Sequence, residues 1–96
     1  MNILIPINDE KKLCSMENNS SWAVATLDEG LTKNLSFYKT REEANEIIDY
    51  VVVISKDEFV SDFFIEGIGI LIAPMQRTIE EIVEAYMFRE LHEVTS

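Results

Sequence analysis

Three glycines, two prolines and one cysteine in 96 residues leave this chain without several devices that announce chemistry. Gly30, Gly67 and Gly69 form no phosphate-cradling loop. The lone Cys14 has no partner for an intramolecular disulfide, and the amino terminus enters an apolar strand pattern without a charged leader, so a reducing cytoplasm is the expected location. The one histidine, His92, falls near the carboxyl end of the last helical pattern, where a cation complements exposed carbonyls, and no second histidine exists to build a site with it. No apolar run approaches the roughly 20 residues of a membrane span; the longest, Ile68 to Pro74, has the length of a strand. No membrane partner is expected. Basic residues are scarce as well, 8 against 18 acids for a net charge of -10, and their scatter excludes the clustered cations that nucleic acid requires.

What is present is a period. Residues 2–7 and 22–27 read as strands, Asp28-Glu29-Gly30 as a turn, and 31–38 as a third strand. The polar stretch from Glu10 to Ser20 has no periodicity and reads as a loop, of a length that is functional or disordered in most compact domains. From residue 40 the pattern changes. Thr40-Arg41-Glu42-Glu43, Ser55-Lys56-Asp57-Glu58 and Thr78-Ile79-Glu80-Glu81 each carry the capping-box spacing that opens a helix. Apolar stripes follow: Ala44, Ile47 and Ile48; Phe59, Val60, Phe63 and Phe64; Ile79, Ile82, Val83, Tyr86 and Met87. Between them, residues 50–54 and 68–73 are continuous apolar runs, as in parallel strands covered on both faces.

The expected element order is βββαβαβα, one domain over residues 1–96. Right-handed crossovers place the fourth strand beside the first and the fifth outside it, giving a mixed five-stranded sheet ordered 3-2-1-4-5, an α/β ribonuclease H-like motif, with other orders of five strands left open. In such sheets ligands sit beyond the carboxyl ends of the parallel strands, at the point where the order reverses. That rim would hold Asn8, Asp9, Ser55, Pro74 and Met75.

Chemistry at this rim is sparse. Ribonuclease H-like nucleases carry an essential acid on the first strand, and residues 2–7 contain none, so no catalytic residues are expected. Cys14 and Met16 on the long loop are soft sulfur donors suited to copper or an iron–sulfur species, although side chains of these types more often anchor a loop or fill a gap in the core. Thirteen of the 18 acids fall on the three helical patterns and read as a solvated coat or as a surface for a basic protein partner. Phe88 lies off the stripe of the third helix and suits self-association, which makes a homo-oligomer one expected state.

Collinear segments add a resemblance. The opening Met1-Asn2-Ile3-Leu4-Ile5-Pro6-Ile7-Asn8, the segment from Trp22 to Gly30, the strand from Gly67 to Pro74, and Thr78-Ile79-Glu80-Glu81-Ile82-Val83-Glu84-Ala85-Tyr86 resemble the dinitrogenase iron-molybdenum cofactor biosynthesis family across nearly the whole chain. The resemblance implies a small cytoplasmic nitrogen-fixation accessory protein that carries or inserts an iron-molybdenum or iron–sulfur type cluster without turnover of its own. Family members carry a His-Phe-Gly-Arg-like motif after the first strand, where this chain has Ser15, Met16, Glu17 and Asn18. The alternative is therefore a degenerate relative that binds no metal and acts as a protein-interaction or regulatory module.

Overall fold

Alternation along the strands divides the core into two layers. In the computed structural model, which describes residues 1–58 and 60–94, β1 (Asn2–Ile7) sends Ile3, Ile5 and Ile7 to one face and Leu4 to the other. The parallel strand β4 (Tyr50–Val53) repeats this with Val52 on the first face and Val51 and Val53 on the second. Both strands are almost wholly shielded, and each such Ile or Val contributes about 1.5–3 kcal/mol by leaving water. Helix α2 (Ile79–Met87) covers the first face through Ile82 and Val83. The second face is covered by helix α1 (Ser61–Ile65), through Phe63, and by the segment between β3 and β4, through Ala44 and Ile48.

Among the described residues the sheet has six strands in the order β3-β2-β1-β4-β5-β6. β2 (Ser21–Asp28) runs antiparallel to β1 and to β3 (Leu31–Tyr38), while β5 (Gly69–Ile72) runs parallel to β4. The expected placement of the first five strands is therefore observed. The expected count of five is corrected by β6 (His92–Val94), which pairs antiparallel to β5 through Ile72 and His92, Leu71 and Glu93, and Ile70 and Val94. Arg89, with φ at 58°, turns the chain back after α2, and the returning segment pairs the edge that β5 would otherwise expose. His92 consequently sits on an edge strand and not at a helix end.

The first expected helix is also corrected. Only a 3₁₀ turn over Arg41–Glu43 forms, although Thr40 N still donates to Glu43 Oε1 at 3.2 Å. Geometry explains the loss. Tyr38 lies level with Trp22 and so with Pro6, whereas Tyr50 lies level with Ile3, and the chain must also cross β2 and β1 between them. Three strand spacings are about 14 Å. An eight-residue helix spans about 12 Å and leaves too few residues to climb onto the sheet and return. Extended backbone covers the distance instead, tied by Asn2 Nδ2 to Ile47 O at 2.8 Å, Asn2 N to Asp49 Oδ2 at 2.8 Å, and Tyr38 Oη to Glu46 at 2.9 Å.

The second helix is shortened to five residues and starts at Ser61, not after Ser55. Phe59, placed by its spacing in the stripe of this helix, lies outside the described residues. The third forms as expected, with Glu81 N donating to Thr78 Oγ1 at 3.1 Å and Thr78 N to Glu81 Oε1 at 3.0 Å.

Candidate functional site

The carboxyl ends of β1, β4 and β5 form one rim, and the loop after β1 folds back across it. Asn8 starts the fold: its Oδ1 accepts from Glu10 N at 2.9 Å and Lys12 N at 3.1 Å, an Asx turn that lets Lys11 adopt φ 60°. Lys12 and Leu13 then bridge to Thr78 and Ile7, Leu13 N donates to Arg77 O at 2.7 Å, and Cys14 N donates to Pro6 O at 3.1 Å. Leu13 enters the core of the α2 face at 3% exposure. The loop is thus a cover laid over the switch point of the sheet.

Glu58 holds this cover down. Its Oε1 accepts from Met16 N at 2.8 Å and its Oε2 from Ile54 N at 2.7 Å, so one carboxylate joins the loop to the end of β4. Burial pushes the thiol of half-buried Cys14 above its ordinary pKa, and the charge of Glu58 pushes it further the same way. The thiol form is favoured at neutral pH, and a metal that takes Cys14 must displace its proton.

The other residues picked out by sequence take mixed places. Ser55 makes a local turn, with Asp57 N donating to its Oγ at 3.1 Å. Asp9 is exposed, and Met75, on the loop after β5, is 82% exposed. Asn8 and Ser55 therefore shape backbone at the rim, while Cys14 and Met16 lie on the cover itself. Among the described residues, no three His, Cys, Asp or Glu side chains gather closely enough to hold a metal ion.

Two contributors at the rim escape the sequence patterns. Glu58 reads as the third position of a capping box opened by Ser55, yet it serves Ile54 N and a loop more than 40 positions earlier. The only hint was a carboxylate set just after a buried strand. Arg77 gives Nη1 to Gln76 O at 2.8 Å and Nη2 to Pro74 O at 3.0 Å, fixing the loop that receives Leu13. A separate cavity of about 360 Å³ beneath the 3₁₀ turn is lined by Met16, Trp22, Lys39, Arg41 and Phe63, where the Arg41 guanidinium stacks 4.2 Å over the Phe63 ring and pairs with Glu66.

Among the described residues no helix is long and apolar enough to cross a membrane. No family model and no curated protein matches the sequence. Solved structures do match in shape. A "putative dinitrogenase" from Methanocaldococcus jannaschii superposes with a TM-score of 0.80 at 13% identity, covering 100% of this chain and 96% of that one. The protein PH0822 superposes with a TM-score of 0.74 at 12% identity, covering 100% of this chain and 98% of that one. The likeness is one of fold, and it extends over the full length of each chain.

Proposed function

We propose that this chain is a small non-catalytic accessory protein that carries a metal cluster of the iron-molybdenum or iron–sulfur type as cargo, in a reducing cytoplasm. The observation that carries the reading is the sulfur-bearing loop, with Cys14 and Met16, laid across the carboxyl ends of β1 and β4. That is where a sheet of this order binds ligands, and the ribonuclease H-like assignment of the fold belongs to the same reading. The shape shared with the "putative dinitrogenase" from M. jannaschii supports it. Release of Met16 from Glu58 would free the loop, and loss of the Cys14 proton would supply the thiolate.

A second reading is favoured by the same clamp. With its cover held by Glu58 and by backbone bonds to Pro6 and Arg77, the chain is a scaffold that binds a protein and no metal. Anaerobic incubation with iron, sulfide and molybdate, followed by desalting and metal analysis, separates the two. Stoichiometric metal with visible absorption supports the carrier; colourless protein without metal, still binding a partner in a cytoplasmic pull-down, supports the scaffold.

A further inference from the structure

Helices α1 and α2 end in the same hydrogen-bonded wrap but fill its left-handed position differently. At the end of α1, Gly67 N donates to Phe64 O at 3.0 Å and Ile68 N to Phe63 O at 2.9 Å, with Gly67 at φ 79°. At the end of α2, Arg89 N donates to Tyr86 O at 3.1 Å and Glu90 N to Ala85 O at 2.8 Å, with Arg89 at φ 58°. Glycine suits this position because it has no Cβ to crowd the backbone, whereas arginine is strained there. The local fold therefore gives no reason for arginine at position 89.

A reason lies in what Arg89 borders. It lines a cavity of about 460 Å³ between the end of α2 and strands β5 and β6, a volume within the range of small-molecule sites. Leu71, 2% exposed, and Leu91 give this cavity an apolar floor continuous with the core. The rings of Tyr50 and Tyr86, 5.7 Å apart and tilted by 54°, form a wall. A Cβ at position 69 would stand 2.7 Å from the Tyr50 ring, so Gly69 makes the room this ring occupies. Glu93, level with Leu71 in the pairing of β5 with β6, projects on the same side and hydrogen-bonds the Tyr50 hydroxyl.

Arg89 and Glu93 are the two charged residues of this lining. Among the described residues neither forms an ion pair, with the other or with any third group. One cation and one carboxylate, both without a counter-ion at a shared cavity, match a ligand that carries both charges. A ligand of net negative charge is disfavoured by the -10 of the chain, and a zwitterion is not. The tyrosine wall and leucine floor match an apolar, ring-bearing body.

We propose that this cavity binds a free α-amino acid with an aromatic side chain, its carboxylate on the Arg89 guanidinium, its ammonium on Glu93 and its ring against Tyr50 and Tyr86. An NMR titration of the full chain with phenylalanine, to about 10 mM, should shift the resonances of Leu71, Tyr50 and Tyr86 along a saturating curve. Phenylpropionate, which lacks the ammonium, and phenethylamine, which lacks the carboxylate, should each bind at least about tenfold more weakly. Arg89→Gly should also lose at least about tenfold in affinity for phenylalanine, while its urea midpoint holds or rises because glycine relieves the left-handed strain. Lost binding in a chain no less stable cannot come from unfolding. Glu93→Gln should weaken phenylalanine and leave phenylpropionate unaffected. No saturating shift by about 10 mM, equal affinity for the three ligands, or full binding by Arg89→Gly would overturn the proposal.

Discussion

Glu58 shows how one side chain sets the state of another at a distance along the chain. It links Met16 N and Ile54 N and raises the Cys14 pKa through its charge, while burial of Cys14 contributes the larger part of that rise. Glu58→Ala should cost about 2 kcal/mol in urea unfolding, since two backbone donors lose a charged acceptor. Glu58→Gln should speed alkylation of Cys14 by iodoacetamide several-fold at neutral pH, yet leave it slower than a free cysteine because the burial remains. Equal rates in wild type and Glu58→Gln would mean that the carboxylate does not govern the thiol. At the opposite end of the sheet, Gly69 is required by Tyr50: a Cβ there would stand 2.7 Å from the ring, which also meets Tyr86 at 5.7 Å. Gly69→Ala should cost about 1–3 kcal/mol, measured by thermal or urea unfolding.

Elements separate what sequence pattern reveals from what it hides. The central strands β1 and β4 are legible because Ile3, Ile5, Ile7 and the run from Val51 to Val53 carry burial directly in their residue types. The capping boxes are less decisive. Thr78 opens α2, whereas Thr40 opens a single turn, because the span from Tyr38 to Tyr50 is fixed by strands the local pattern does not see. β6 is hidden for another reason: three residues are too few to show alternation. At the rim, Cys14 and Met16 were legible as donor types, but the clamp was not, since pairing Glu58 with Met16 depends on the path of the loop. Thr78→Ala should cost about 1 kcal/mol and Thr40→Ala less than about 0.5 kcal/mol. Backbone hydrogen bonds from Thr78 and then Arg77 hold the Glu81 carboxyl below its usual pKa. Its contribution is present above the ordinary glutamate range and is lost as pH falls through the lowered value. The stability difference between wild type and Glu81→Gln should therefore shrink on acidification, and a constant difference would contradict the cap.

The whole molecule is a sheet whose central strands β1 and β4 are covered on both faces, with its strand order reversing between them, and with a loop closing that point. Its titratable groups place a limit on the alkaline side. Tyr50 is raised chiefly by its hydrogen bond to Glu93, and Cys14 chiefly by burial. Both favour the protonated form in the folded state, so their contribution is complete below the unfolded values and disappears as pH rises through the raised ones. Urea midpoints should fall from neutral to strongly alkaline pH, and Glu93→Gln should reduce that fall.

The claim on which the functional reading rests is that the closing loop carries the cargo through Cys14. It is tested most directly by metal content after anaerobic reconstitution of wild type, Glu58→Gln and Cys14→Ser side by side. The account predicts stoichiometric iron in wild type, faster loading in Glu58→Gln, and loss of bound metal and colour in Cys14→Ser. Metal-free wild type, or equal metal in Cys14→Ser, would contradict it.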